Sequence, residues 1–249
     1  MLILLSNDDG VSAPGLRALA ETLHVLGRVV VVAPDRERSA VGHALTLHKP
    51  LRVHELGEDV YSVNGTPTDC VTLAVNTILP GKPDLLISGI NRGANLGDNI
   101  TYSGTVAAAM EGALLGIPSM AVSVVGEGHF RYGEAAKAAL RLARKIADHG
   151  LPADTFLNMN VPSLPAEQLS GIRITSMGRR TFKDPVVEKK DPRGRAYYWI
   201  GGEEIISGGK GHSDYEAIAE NGISVTPLHL DLTHYEVFEK MESILFEGD

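Results

Sequence analysis

A single cysteine, Cys70, is all the thiol this 249-residue chain carries. It cannot close an internal disulfide, so a packed core must hold the fold, and a reducing compartment suits it. The nine histidines form no H-E-x-x-H and there is no C-x-x-C, which removes the common zinc sites. No apolar run approaches the roughly 20 residues that a membrane-spanning helix needs. The opening stretch, Met1-Leu2-Ile3-Leu4-Leu5-Ser6-Asn7-Asp8-Asp9-Gly10, has neither the basic n-region nor the small-residue cleavage site of a signal peptide, and the expected location is cytoplasmic. Basic charge is also scarce: 23 Lys+Arg against 31 Asp+Glu leave a formal net charge of -8. Binding to long nucleic acid relies on Lys and Arg neutralising phosphates, so this balance argues against it. A small phosphorylated ligand stays open, because a bound divalent cation reverses the local sign of an acidic site.

Hydrophobic residues make up 43% and charged residues 22% of the chain, the balance of an ordinary globular protein and not of a disordered or disulfide-scaffold one. The length suits one large α/β domain or a medium one carrying an arm. Leu2 to Leu5 reads as a short buried strand. Pro14 then opens a helix whose stripe is Leu16, Leu19, Ala20, Leu23 and Leu26, the spacing of one helical face. Val29 to Ala33 is a continuous β-branched run, as expected where both faces of a parallel sheet are covered. Thr66-Pro67-Thr68-Asp69 is a helix start with a capping hydroxyl, Pro at the first position and an acid in the first turn. Strands at Leu85 to Ser88 and Met120 to Val124 alternate with helices at Ser103 to Leu115 and along Ala135, Ala139, Leu142 and Ile146. This alternation predicts a doubly wound, mostly parallel α/β sheet of Rossmann-like type.

The pattern changes after about residue 160. Gly171 to Ser176 is expected as a strand, while Pro, Gly and mixed charges fill Met177 to Arg195. Ala196 to Ile200, Gly201-Gly202 and Glu203 to Ile206 read as a β-hairpin on a Gly-Gly turn. Ile223 to Leu228 is the expected last strand, and Tyr235, Phe238, Met241 and Leu245 line a closing amphipathic helix.

Four segments carry chemistry. Ser6-Asn7-Asp8-Asp9-Gly10 follows the first strand, where open α/β sheets bind ligands. Two adjacent carboxylates are costly there unless a cation shares the site, and hard oxygen ligands suit Mg²⁺ or Mn²⁺. Pro34-Asp35-Arg36-Glu37-Arg38-Ser39 follows the second strand. The loop from Ser88 through Asn91 and Asn95 to Asn99 offers neutral oxygens, with glycines that let backbone approach a ligand. Tyr102-Ser103-Gly104-Thr105-Val106 leads into a helix whose amides and hydroxyls form an anion site. Each has an ordinary alternative in isolation: an Asp-Gly turn, a solvated charge run, a flexible loop and a plain N-cap. Their shared position, at strand ends or helix starts, would bring cation ligands and phosphate donors to one edge. His43, near Ser39 in sequence, reads as a hydrogen-bonded or surface residue, and Cys70 as a small buried hydrophobe. Tyr197, Tyr198 and Trp199 fit either base stacking or a second subunit.

Together these segments resemble the SurE family of survival-protein nucleotidases. The matching stretches are Ser6 to Gly10, Ala33-Pro34-Asp35 with Ser39, Gly65 to Cys70, Ser88-Gly89-Ile90-Asn91 with Gly93, Asn95 and Gly97, and Tyr102 to Val106 through Glu111. Looser matches are Asn158 to Pro162, Asp191 to Gly194, Tyr198 to Gly201 and Thr226-Pro227-Leu228. Gly211-His212-Ser213-Asp214 departs by having Ser where Thr is expected, which keeps the hydroxyl. The resemblance implies one divalent metal ion per subunit, Mg²⁺ or Mn²⁺, bound by Asp8, Asp9, Ser39 and Asn91. It implies phosphate contacts from Asn95, Ser103, Gly104 and Thr105, with Asp8, Asp9 and Asn95 as the catalytic set. The implied reaction is hydrolysis of nucleoside 5′-monophosphates, in some members also of 3′-monophosphates and short polyphosphate. Residues 1–249 would form a single domain assembled into a homo-oligomer, dimer or tetramer, by an arm within 177–215, with a closing helix at 232–247. Two other readings compete. An aspartyl-phosphate enzyme needs Asp at both ends of D-x-D, and Asn7 holds the first place. A non-hydrolytic nucleotide-binding module would show G-x-G-x-x-G or a Walker motif, and neither is present.

Overall fold

Runs that bury on both faces alternate with helices that bury one stripe, and the computed structural model shows what they build. It describes residues 1–183, 186–201, 203–207 and 212–246. In chain order the elements are β1 (Leu2–Ser6), α1 (Pro14–Leu23), β2 (Arg28–Pro34), β3 (Val53–Gly57), β4 (Val60–Val63), α2 (Pro67–Leu73), β5 (Leu85–Arg92) and α3 (Gly104–Leu114). There follow β6 (Ser119–Val125), α4 (Tyr132–His149), β7 (Thr155–Pro162), β8 (Ile172–Ile174), β9 (Arg179–Lys183), β10 (Val186–Lys190) and β11 (Ala196–Ile200). The last are β12 (Glu203–Ser207), α5 (Asp214–Ala219), β13 (Ile223–His229) and α6 (Phe238–Phe246).

Nine strands form one sheet in the order β3-β4-β2-β1-β5-β6-β7-β13-β8. It is the mostly parallel, doubly wound sheet that the alternation predicts, with antiparallel pairs only at β3–β4 and β7–β13. β1 lies central. Ile3 and Leu5 pack with α1 and α4 on one face, while Leu4 packs with α2 and α3 on the other. Each such fully buried side chain contributes about 1.5–3 kcal/mol of transfer free energy. α2 starts where its cap residues predict. Thr66 Oγ1 accepts from the Asp69 amide at 3.1 Å and Asp69 Oδ2 accepts from the Thr66 amide at 2.8 Å, a closed capping box. α3 is small-residue rich because it lies flat on the sheet: a Cβ at Gly112 would stand 2.4 Å from Ser119 Oγ and 2.8 Å from Leu86.

The C-terminal part departs from expectation. β11 pairs with β10, Val187 opposite Trp199, and β12 pairs with β9, so β11 and β12 do not form a hairpin with each other. The turn that wins is Asp191–Arg195. The Asp191 carboxylate accepts from the amides of Arg193 and Arg195 at 2.8 and 3.0 Å, and Gly194 takes φ 81°. An Asp that satisfies two amides, followed by a residue free to adopt positive φ, is stronger turn chemistry than a glycine pair. Gly201 links the two ladders, and Gly202 lies outside the described residues. The arm is thus two successive antiparallel ladders instead of one short hairpin. α6 forms with Phe238, Met241 and Leu245 exposed, so it does not close onto this chain's own core. Residue 247, the end of the expected helix, lies outside the described residues.

Candidate active site

From β1 the sheet runs through β2 and β4 in one direction and through β5, β6 and β7 in the other. Connections leaving the carboxyl ends of β1 and β5 therefore part to opposite faces, and a crevice opens between them. Asp8 and Asp9 follow β1 into this crevice, and Asn91, next to last in β5, stands at its other wall. The turn that delivers the carboxylates is closed by Asn7, whose Nδ2 donates to Gly10 O at 3.0 Å while its Oδ1 accepts from Gly10 N at 3.2 Å. Gly10 sits at φ 100°, and a Cβ there would lie 3.1 Å from the Arg36 backbone. The resulting open cavity of about 890 Å³ is lined by Asp8, Asp9, Ser39, Asn91, Asn95 and Ser103, with Glu37, Arg92, Tyr102, Phe130 and Tyr132 among the further walls.

Asp8 is 6% exposed. Burial pushes its carboxyl above the ordinary range, and the Thr105 hydroxyl, donating to Oδ1, pulls it back together with the amides of Thr105 and Gly104. Asp9 is raised to about 6, first by burial and next by the charge of Asp8, while the Arg92 amide, donating to Oδ2 at 3.1 Å, opposes the rise. Two adjacent carboxylates raised by desolvation and mutual repulsion are a site that a cation relieves. Among the described residues no group of three or more His, Cys, Asp or Glu is placed to hold a metal ion. The two carboxylates and the neutral oxygens of Ser39 and Asn91 at the cavity are donors that would fit a hard ion keeping part of its water, such as Mg²⁺ or Mn²⁺, better than zinc.

The residues singled out from sequence come to this place by different routes. Asn91 lines the cavity and donates its Nδ2 to Gly93 O at 2.9 Å. Ser39 lines the cavity with its hydroxyl turned to Glu37 Oε1 at 2.5 Å. Asn95 lines it too, one Nδ2 proton being given to Ser123 Oγ at 2.9 Å. Ser103 faces the cavity while capping α3 through the Val106 amide at 3.2 Å. Gly104 lets the helix start approach the carboxylate, since a Cβ there would stand 2.8 Å from Asp8 Cβ. Thr105 is completely buried. Its hydroxyl serves Asp8 and does not face the cavity.

A family model described as Survival protein SurE matches residues 3–184. The chain belongs to the SurE family. It is 58% identical over 244 residues to the 5′-nucleotidase SurE of Geobacter sulfurreducens, covering 98% of this chain and 93% of that one. To the 5′-nucleotidase SurE of Syntrophotalea carbinolica it is 59% identical over 241 residues, covering 96% and 95%. Among solved structures it is similar to the SurE protein from Aquifex aeolicus, with a TM-score of 0.90 and 48% identity over 98% of this chain and 99% of that one.

Several residues of this SurE site escape a reading of local sequence. Asn158 and Asn160, both fully buried on β7, reach across to the backbone of Asn95. Their Nδ2 groups donate to Asn95 O at 2.8 and 2.9 Å, and Asn160 Oδ1 accepts from Asn95 N at 2.9 Å. The available signal was period 2: two amides at alternate positions of an otherwise apolar strand sit on one face and require buried partners. Arg92 places its guanidinium 5.4 Å from the centre of the Phe130 ring, and Phe130 stacks on Tyr132 at 6.0 Å. Tyr197, Tyr198 and Trp199 lie exposed on the arm and do not line the cavity. His43 is outside the lining as well. It contacts Glu111 at 2.9 Å, the hydrogen-bonded role expected of it, and holds the Glu111 carboxyl below its ordinary value.

Proposed function

We propose that this SurE-family chain is a cytoplasmic 5′-nucleotidase: it hydrolyses nucleoside 5′-monophosphates to nucleoside and phosphate, using one Mg²⁺ or Mn²⁺ per subunit. Nucleoside 3′-monophosphates and short polyphosphate are its secondary substrates. The observation that carries this reading is the placement of the raised Asp8–Asp9 pair opposite the start of α3, in an open cavity whose volume of about 890 Å³ accommodates a nucleotide.

Asp8 and Asp9 would hold the ion, with Ser39 and Asn91 supplying neutral oxygens. When bound, the ion neutralises phosphoryl oxygens and lowers the pKa of a coordinated water. Asp8, fixed by Thr105 and the helix amides, keeps one orientation throughout. Asp9 is nearer the solvent side, where its carboxylate would orient the attacking water. Asn95 has a second Nδ2 proton to offer to an equatorial phosphoryl oxygen, and the Ser103 hydroxyl faces the same charge as it builds.

The protein is a single 1–249 domain acting as a homo-oligomer, dimer or tetramer, assembled through the arm within 177–215 and the C-terminal helix. The exposure of Trp199 (62%) and Ile200 (93%) on the arm and of Phe246 (73%) on α6 supports this. No helix among the described residues is long and apolar enough to cross a membrane.

The test is phosphate release from a panel of nucleoside monophosphates and short polyphosphate, with Mn²⁺, with Mg²⁺ and with excess chelator. Metal-dependent release from 5′-monophosphates is expected, and Asp8→Asn should abolish it in a folded protein. No release by folded wild-type protein with any metal would leave a nucleotide-binding module without chemistry.

A further inference from the structure

The mechanism above makes no use of Asp214, a completely buried carboxylate distant in sequence from every residue of the site. It stands at the start of α5, and both of its oxygens are engaged. Oδ2 accepts from the amide of Gly97 at 2.7 Å. Oδ1 accepts from the amide of Gly178 at 2.8 Å and from that of Tyr215 at 2.9 Å. Gly97 lies two residues after Asn95, and Gly178 immediately precedes β9, where the arm leaves the body. The carboxylate therefore ties the phosphate-side loop to the root of the arm.

The surroundings leave this tie little freedom. A Cβ at Gly97, which sits at φ 50°, would lie 2.5 Å from Gly178 O; one at Gly178 would lie 2.4 Å from the Tyr215 ring and 3.1 Å from Asp214 Oδ1. Tyr215 also donates its hydroxyl to Leu96 O at 3.3 Å. The other end of the arm returns to the same point: Asp214 N donates to Ser176 O at 2.9 Å and Ser176 N donates to His212 O at 3.1 Å. On its opposite side the loop is held by Asn158, Asn160 and Ser123. Asn95 thus lies in a short segment with one flank fixed by the sheet and the other by a carboxylate that the arm root shares.

We propose that Asp214 is a positioning residue that couples the arm root to Asn95, so that whatever orders or displaces the arm alters turnover at the phosphate site. This rests on the nucleotidase reading for its kinetic consequence but not for its geometry. Asp214→Asn replaces one acceptor oxygen with an amino group that must face a backbone N–H, on either the Gly97 side or the Gly178 side. Losing a hydrogen bond to a buried charge is worth at least about tenfold in an equilibrium, and the loss falls on orientation at the reacting group, so kcat should drop about tenfold or more while KM moves less than about threefold.

The experiment combines those kinetics with amide hydrogen exchange on the full-length protein, for Asp214→Asn and separately for Gly178→Ala, which crowds Tyr215 and Asp214 from the arm root without touching the cavity. The expected result is lower kcat in both variants, with exchange rising together in the segments around Gly97 and Gly178 and unchanged in β1, β5 and β6. Wild-type kcat and exchange in Asp214→Asn would overturn the proposal. So would a slow Asp214→Asn beside a Gly178→Ala of normal rate and normal exchange at Gly97, or exchange rising throughout the core, which would mark a purely structural role. If the wild-type protein proves to have no phosphatase activity, the function proposed above falls, while the exchange data still decide whether the two segments are tied.

Discussion

Replacing Thr105 by Val should weaken divalent metal binding by about 10- to 100-fold while leaving the fold in place. Val has nearly the shape of Thr, and position 105 is fully buried in α3, so packing changes little. What disappears is the hydroxyl that donates to Asp8 Oδ1. A hydrogen bond to a charged group contributes about 1.5–3 kcal/mol, and about 1.4 kcal/mol is a factor of ten in affinity. Loss of a partner that orients a ligand side chain costs the same 10- to 100-fold in metal sites generally. The sign is fixed by the electrostatics. The Thr105 hydroxyl is the leading influence that lowers an Asp8 carboxyl otherwise raised by burial, so its removal raises that carboxyl further and lets a proton compete with the cation. The amides of Gly104 and Thr105 remain, which bounds the loss. Titration calorimetry with Mn²⁺ at constant pH, paired with a thermal melt, reads both quantities, and Thr105→Ser should recover most of the affinity. If Thr105→Val bound Mn²⁺ as tightly as wild type, Asp8 would not be the metal ligand proposed for it.

Other outcomes follow from the same contacts. Asp9 in the metal-free protein titrates at about 6, above the ordinary 3.8. Its proton must leave when metal binds, so affinity should weaken as pH falls through about 6, and more steeply where the Asp8 carboxyl, also raised, protonates as well. The same raised value means this carboxyl makes the metal-free fold more stable as pH drops from 6 toward 4, and pH-dependent melts with chelator present check that direction. Gly104→Ala ordinarily helps a helix by up to about 1 kcal/mol, but here the new methyl meets Asp8 Cβ at 2.8 Å and Pro67 Cγ at 3.1 Å. Overpacking should instead cost about 1–3 kcal/mol in denaturant unfolding and reduce metal affinity. Light scattering should find an oligomer at micromolar concentration, and Trp199→Glu with Ile200→Glu should yield a smaller species with unchanged circular dichroism. A monomeric wild type would remove the arm from assembly.

What the sequence determined by itself was everything written in local pattern. The continuous β-branched run Val29 to Ala33 marked a strand covered on both faces, and the stripe Leu16, Leu19 and Leu23 marked a helix against the sheet, which gives way to a 3-10 turn before Leu26. The Thr66–Asp69 box marked its helix start because all of its atoms lie within one turn. The acidic pair after the first strand, the Asn91–Asn95 loop and Ser103 were legible for the same reason: strand ends in such a sheet face one edge whatever the details. Pairing was not local. Gly201-Gly202 looked like a hairpin turn, yet a turn formed at Asp191–Arg195, where the Asp191 carboxylate accepts two backbone amides. The contacts that organise the cavity were also set only by the tertiary structure. Thr105 serves Asp8 across 97 positions, Asn160 holds Asn95 across 65, and Asp214 holds Gly97 across 117. Which hydroxyl lines the cavity and which meets a carboxylate depends on the strands that become neighbours, and hydrophobic periodicity, which records only which face is buried, carries no information about that choice.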